Sequence, residues 1–466
     1  MKTKIITAGL SVAALASLEA QQKPNVVFII ADDLGYGDLS CYGQDKFQTP
    51  HIDRLALNGV RYTRSYSGTT VSAPSRASLI TGLHTGHTPI RGNKEVRPEG
   101  QAPLPAGTFT LFHLFKNAGY TTGAFGKWGL GYPGSTGDPM NQGLDRFFGY
   151  NCQRMAHNYY PPYIWSNHSK VMFPENADGK SVTYSQDLIQ KEALTFIEQQ
   201  KEESFFLFVP MLLPHAELIV PEDSIIQKFR GTFPETPYKG VDPRTAFTKG
   251  GYRSQEHPRA THVAMVTRID EYVGQIVEKL KETGIYENTL IIFTSDNGPH
   301  REGGGDPDFF NSNGIYRGYK RDLYEGAIRV PTIISWPGKV PAGKASDYPF
   351  AFWDYMATFT ALTGQEAPEH SDGINILPAI FGDAVETERD YFYFEFHEMG
   401  GRQAIIQGDW KLLHLDIREG GRYELYNIAS DPSENHNLID LFPEKLAALK
   451  EKMGGARVDD PDWPLF

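Results

Sequence analysis

The stretch Asn25-Val-Val-Phe-Ile-Ile-Ala31, closed by Asp32-Asp33, decides how this chain is built. It is apolar at consecutive rather than alternating positions and carries β-branched residues, the pattern of a strand buried on both faces. Working outward, Phe205 to Val209 is a second buried run and leads into Pro214-His215, and Leu290 to Thr294 is a third and leads into Asp296-Asn297. Tyr120 to Phe125 reads as another strand, delivering Gly126-Lys127, and Val60 to Tyr66 as a short one. Helical patterns lie between them: from Pro50, over Thr110 to Asn117 with Gly119 as the stop, over Ser185 to Gln200, and from Val263 to Leu280 with Gly284 as the stop. This alternation predicts an α/β fold, a large mostly parallel sheet sandwiched by helices. Ligands of such sheets gather at the carboxyl ends of the strands, which is where Asp32, Asp33, Lys127, His215, Asp296 and Asn297 all fall.

Near Glu395 the alternation weakens, and the short segments Gln403 to Ile406, Trp410 to Leu415 and Glu424 to Asn427 suggest a small antiparallel sheet packed by a terminal helix, Pro443 to Lys452. The expected organisation is a catalytic domain over 21–395 and a C-terminal subdomain over 396–466. Residues 131 to 179, rich in Gly, Pro, Asn and Tyr, read as long loops of the kind that shape a substrate pocket. Arg154, His157, Tyr159, Tyr160, Tyr163 and Trp165 within them offer polar handles and aromatic faces suited to a sugar.

With 466 residues and 40% hydrophobic content, the chain can bury a sizeable core. Its formal charge of −12 argues against nucleic acid or an anionic membrane as partner, although a local cluster of cations can still hold a small anion. Met1 to Ala20 reads as a signal peptide: Lys2 and Lys4, an apolar stretch, then small residues. No other stretch is apolar for long enough to span a bilayer, so a periplasmic or secreted protein is expected. Cys41 and Cys152 are too few for a disulfide scaffold; they either pair in an oxidising compartment or remain two inert thiols.

Ser72-Ala73-Pro74-Ser75-Arg76-Ala77-Ser78-Leu79-Ile80-Thr81-Gly82 reads as a helix with Pro74 in its first turn and Gly82 just past its end. Ser72 then lies at the positive end of the helix dipole, and Arg76, one turn on, shares its face, where it can hold an oxyanion or orient residue 72. A Ser-rich cap with a surface Arg is the plainer reading of the motif alone. The pairs Asp32-Asp33 and Asp296-Asn297 supply only oxygen, which suits a hard divalent cation such as calcium better than zinc. Each pair by itself also fits a helix cap or solvated turn.

These motifs together resemble the formylglycine-dependent sulfatases of the alkaline phosphatase superfamily. Ser-x-Pro-Ser-Arg followed by Leu-x-Thr-Gly resembles the family signature, with Ser72 in the place of the residue that a formylglycine-generating maturation enzyme oxidises; this is the serine type found in bacteria. The resemblance implies a calcium site of Asp32, Asp33, Ser72, Asp296 and Asn297. It implies catalytic roles for Ser72, Arg76, Lys127 (in Gly126-Lys127-Trp128), His215 (in Leu213-Pro214-His215) and Lys320 (ahead of Glu325-Gly326 and Arg329-Val330-Pro331). Asp33 or a neighbouring carboxylate is the expected base, and a His the expected donor to the leaving alcohol. The family commonly has His two residues after the Lys, and here that place is Gly129; His215, then His300, then His157 are the substitutes. Arg154, His157 and His300 are the expected substrate contacts. The Tyr426 to Leu438 stretch resembles the family's ending. The implied activity is hydrolysis of carbohydrate sulfate monoesters, of the galactose or N-acetylgalactosamine type, through a formylglycine hydrate. The alternatives are a phosphoester or phosphonate hydrolase of the same superfamily, and a sulfated-glycan-binding protein in which Ser72 stays unoxidised.

Overall fold

Strand β1 (Asn25–Asp32) is buried at all eight positions and lies inside a ten-stranded sheet. This computed structural model describes residues 23–242 and 251–466. The signal-peptide reading of Met1 to Ala20 therefore lies outside the described residues. The other strands of the sheet are β2 (Val60–Tyr62), β3 (Thr121–Lys127), β4 (Arg146–Tyr150), β5 (Tyr163–Ser166), β6 (Ser169–Met172), β7 (Phe205–Pro214), β8 (Thr289–Ser295), β9 (Thr332–Ser335) and β10 (Lys344–Ser346). Their spatial order is β10-β2-β9-β8-β1-β7-β3-β4-β5-β6. The five central strands, β8, β1, β7, β3 and β4, run parallel, while β9 and β5 pair antiparallel to the two flanks of this block. The fold is thus the expected α/β sandwich.

Alternate residues of β1 enter two different cores, which explains its unbroken apolar run. Val27, Ile29 and Ala31 pack with helices α1 (Pro50–Leu57), α4 (Ser185–Gln199) and α5 (Pro258–Glu282). Val26, Phe28 and Ile30 pack on the opposite face with α2 (Ser72–Thr81), α3 (Leu111–Asn117) and α6 (Asp354–Thr363). Helix α3 starts where the sequence predicts because Thr110 and His113 form a reciprocal capping box. Helix α2 is buried along its whole length and ends at Gly82, whose φ of 75° is the left-handed geometry that glycine supplies there.

The stretch 131–179, expected as loops, corrects the sequence reading. It contains β4 and the hairpin β5–β6, which extend the large sheet. Gly149 lies within β4, where the neighbouring strand comes too close for any side chain. A Cβ at Gly149 would stand 1.9 Å from the Gly126 carbonyl oxygen. The aromatic residues of this stretch also differ from expectation. Tyr159, Tyr160 and Tyr163 are core residues, at 0%, 5% and 7% exposure, and the Tyr163 hydroxyl and Trp165 indole N–H both donate to Glu99. The three tyrosines present no open face to a sugar, whereas Trp165 is half-buried.

The C-terminal sheet is antiparallel, with β11 (Phe392–Phe396), β12 (Arg402–Gln407), β13 (Trp410–Leu415) and β14 (Arg422–Asn427) in sequence order, and α7 (Pro443–Gly455) packs on it. The expected boundary at 395/396 falls within β11. The two layers are tied by Lys411 of β13, whose buried ammonium lies 3.0 Å from Glu325 and 2.9 Å from Glu434. Cys41 and Cys152 are both free thiols, which settles that alternative. No helix among the described residues is long and apolar enough to cross a membrane.

Candidate active site

Four of the parallel strands deliver the site. Asp32 ends β1, Lys127 ends β3, His215 follows β7, and Asp296 and Asn297 follow β8. Helix α2 brings Ser72 to the same point. Its hydroxyl donates to Asp32 Oδ1 at 3.0 Å, and Lys127 Nζ bridges the two, 2.5 Å from Asp32 Oδ2 and 3.4 Å from Ser72 Oγ. Arg76 grips Asp296 Oδ2 with Nε at 3.0 Å and Nη2 at 2.8 Å, while its Nη1 donates to the Lys127 carbonyl at 2.6 Å. One guanidinium thereby fixes the ends of β3 and β8 to the start of α2.

Asp33 faces the other half of the site. The chain turns there through a φ of 65°, a conformation unusual for a residue other than glycine, and the Asp33 N–H donates to Asp296 Oδ1 at 3.1 Å. Asp33 Oδ1 accepts from Asn297 Nδ2 at 2.6 Å, and Oδ2 accepts from Lys320 Nζ at 2.8 Å. Asp32, and not Asp33, is therefore the carboxylate that holds the residue-72 hydroxyl.

His215 has a determined tautomer. Its Nδ1–H donates to the Ala216 carbonyl, which leaves Nε2 as acceptor for Lys320 Nζ at 2.8 Å. Burial, then the Lys320 charge, holds His215 well below the usual histidine range, so the ring is neutral at pH 7. Lys320 is pushed up to about 12: burial opposes its charge, but Asp33 and Glu302 outweigh it. His157 stacks on His215 with centroids 4.6 Å apart, and His300 lies on it at 5.6 Å, with Nδ1 accepting from the Glu302 N–H and Nε2 donating to the Pro214 carbonyl. Arg154 stands further out, paired with Glu95 at 2.8 Å. A cavity of about 300 Å³ joins these groups and is lined by Arg154, His157, His215 and Lys320.

The structure adds three residues that the sequence reading missed. Glu302 lies 3.6 Å from Lys320, receives the Tyr252 hydroxyl at 2.6 Å and pairs with Arg321. All three enter from irregular segments with no periodicity to mark them; the signals are that Glu302 follows His300 by two residues and that Arg321 follows Lys320 directly.

The charge and donor set fits a hard cation. Asn297 Oδ1 is buried and accepts no hydrogen bond, although its amide nitrogen is fully engaged with Asp33 and the Gly298 carbonyl. A buried carbonyl oxygen without a donor costs about 1–3 kcal/mol, a penalty that a cation there would remove. Asp296 is pushed up to about 7 by burial and then by the charge of Asp32, against the pull of Arg76. Ser72, Asp32, Asp33, Asp296 and Asn297 are the residues that would hold the ion, all through oxygen.

The sulfatase family model matches residues 24–365, and the model for the C-terminal region of N-sulphoglucosamine sulphohydrolase matches residues 314–457. The chain is 29% identical to an N-acetylgalactosamine-6-O-sulfatase of Bacteroides thetaiotaomicron, with 92% of each chain covered. It is 32% identical to the N-acetylgalactosamine-6-sulfatase of Canis lupus familiaris, over 86% of this chain and 74% of that one. Among solved structures, Ps i-CgsB in complex with k-i-k-neocarrahexaose superposes with a TM-score of 0.79 at 28% identity, covering 96% of this chain and 95% of the other.

Proposed function

Because this chain belongs to the sulfatase family and is a sulfuric ester hydrolase, we propose that it removes sulfate from sugars of the galactose or N-acetylgalactosamine type, using an oxidised Ser72 beside a calcium ion. The observation that carries the reading is the seat of Ser72: its Oγ is held by Asp32 and flanked by Lys127, at the start of a buried helix. N-acetylgalactosamine sulfatases among its relatives support the sugar class. The reading includes export to the periplasm or beyond, a catalytic domain over 21–395 with a C-terminal subdomain over 396–466, and oxidation of Ser72 by a formylglycine-generating maturation enzyme.

A sulfate monoester repels nucleophiles with its anionic oxygen shell, so neutralising charge lowers the barrier. Calcium, when bound, supplies two such positive charges. Formylglycine supplies, as its hydrate, two hydroxyls on one carbon, so that sulfate need not remain as a stable serine ester. The chain's own residues do the rest. Asp32 Oδ1 accepts the proton of the attacking hydroxyl at residue 72, the role that the sequence left between Asp33 and its neighbours. Lys127 presents a cation to the sulfate oxygens, and Arg76 keeps Lys127 and Asp296 in register. As the S–O bond to the sugar breaks, the leaving oxygen needs a proton. The neutral His215 cannot supply one by itself, so the proton comes from the Lys320 ammonium, directly or through His215 Nε2.

The test is the mass of the tryptic peptide Ser65 to Arg76 from natively produced protein, together with sulfate release from 6-sulfated N-acetylgalactosamine. A peptide lighter by two hydrogens and trapped by a carbonyl reagent is expected, as is loss of release in a folded Ser72→Ala variant. An unmodified serine mass in active enzyme would refute the mechanism.

A further inference from the structure

Helix α2 starts without a side-chain cap of its own, because its N-cap residue is Val71. A helix start leaves backbone N–H groups to be paired from outside. Pro74 brings none, Ser75 N–H closes onto the Val71 carbonyl at 3.2 Å, and Ala73 N–H donates to Asn93 Oδ1 at 3.0 Å. This bond identifies both ends of the Asn93 amide: the atom that faces a backbone N–H is the oxygen, so the other is the donor, Nδ2. Among the described residues Nδ2 has no acceptor, and it keeps accessible surface: Asn93 is half-buried and lines the cavity that His215 and Lys320 share. The segment that follows β11 fixes the loop carrying it. Arg91 pairs with Glu395 at 3.2 Å with both side chains buried, a Cβ on Gly92 would stand 2.1 Å from His397 Cε1, and Asn93 N–H donates to Glu398 Oε1 at 3.2 Å. The amide is thus held in place on one side by the helix that carries Ser72 and on the other by the C-terminal layer.

We propose that Asn93 is a substrate-contact residue, donating Nδ2–H to an oxygen of the sulfate group that residue 72 attacks. The contact rests on the reading of the Ser72 site given above. Asn93 is bonded to the peptide N–H that directly follows residue 72, which sets its amide beside the place where the sulfur must sit. With Oδ1 spent on Ala73, the side chain can only donate, and an ionised sulfate ester offers only acceptors. Accepting at the positive end of α2 also polarises the amide, so that Nδ2 carries part of the helix dipole into the cavity. Hydrogen bonds to charged oxygen are the stronger kind, and a donor already oriented loses little freedom on binding. Lys127 and Lys320 supply charge to the anion; Asn93 supplies direction.

The experiment compares natively produced enzyme with Asn93→Ala and Asn93→Asp. It measures kcat/KM on 6-sulfated N-acetylgalactosamine, the thermal midpoint, and the affinity for inorganic sulfate read from the midpoint shift that sulfate produces. Asn93→Ala removes both the cap on Ala73 and the donor. Asn93→Asp keeps an oxygen for the Ala73 N–H, since Asp caps a helix as well as Asn does, and puts a carboxylate oxygen where the donor was. Asn93→Ala is expected to lose about 10- to 100-fold in kcat/KM, the range for one lost hydrogen bond to a charged acceptor, and to weaken sulfate binding with it. Asn93→Asp should hold its midpoint better than Asn93→Ala and yet lose more in both readouts. A residue that only caps α2 predicts the opposite order, with activity following the midpoint. Near-native kcat/KM and sulfate affinity in Asn93→Asp, or in folded Asn93→Ala, would therefore overturn the proposal while leaving the Ser72 reading intact. Reduced kcat/KM with native sulfate affinity would overturn it too, moving the contact to the sugar. An unmodified serine mass in active enzyme would bring down the Ser72 reading, and this contact with it.

Discussion

Calcium should stabilise this protein through Asn297, and the size of the effect can be worked out. Three carboxylates, Asp32, Asp33 and Asp296, face three cations, Lys127, Lys320 and Arg76, so the formal charges of the site balance. A divalent ion adds two positive charges that only an anion can offset. Calcium and inorganic sulfate should therefore bind with positive coupling. At a calcium concentration of ~100 times its dissociation constant, mass action adds about 2.7 kcal/mol to the folded state. Unfolding entropy of about 2.1 cal/mol/K per residue, taken over 466 residues, converts this to a rise of roughly 3 °C in the thermal midpoint. Asn297→Leu keeps the side-chain size and removes the orphaned oxygen. It also removes the 2.6 Å bond to Asp33, which lowers the starting midpoint, so the readout is the difference between midpoints with calcium and with chelator. Native protein should show the rise, more so with sulfate present, and the variant should show little of it. Equal calcium responses in the two proteins, or none in the native one, would refute the assignment of Asn297 as a ligand.

The remaining predictions concern stability. Glu434 is pushed up to about 7 by burial, with Lys411 opposing and Glu325 adding to the rise. A carboxyl raised in this way binds its proton more tightly when folded. Its contribution is fully present below the unfolded value of 4.5 and is lost as pH rises through about 7. Glu434→Gln should therefore remove on the order of 2 kcal/mol of pH dependence across that window, measured by urea unfolding at several pH values; an unchanged slope would count against it. Gly149→Ala places a Cβ 1.9 Å from the Gly126 carbonyl, between two backbones that cannot rotate away. It should destabilise by about 3 kcal/mol or more, the upper end for overpacking, and displace Lys127 at the end of β3; near-native urea stability would contradict the close approach.

Much of this site was legible because the strands that carry it are buried on both faces. An apolar run that ends abruptly in Asp32-Asp33, in Pro214-His215 or in Asp296-Asn297 marks both a strand and its carboxyl end, and the parallel order then brings those ends together without further information. Residues on irregular segments have no such marker. Glu302, Tyr252 and Arg321 meet Lys320 through a chain path that no periodicity reports. Composition misled in the other direction at 131–179, where glycine and aromatic residues read as open loop. Gly149 is required by strand contact, and Tyr159 and Tyr160 fill the core beneath the cavity.

The division of labour between Asp32 and Asp33 shows where pattern stops and geometry takes over. Neighbouring residues of an extended chain point to opposite sides. A continued strand would therefore send one of these two carboxylates away from the site. The turn at Asp33, with φ at 65°, ends the strand and brings both back to the same cleft, one toward Ser72 and Lys127, the other toward Asn297 and Lys320. The turn thereby divides the site into a half around Ser72 and Lys127 and a half around Asn297 and Lys320. Two adjacent acids reach two different sets of partners because one backbone angle departs from the strand.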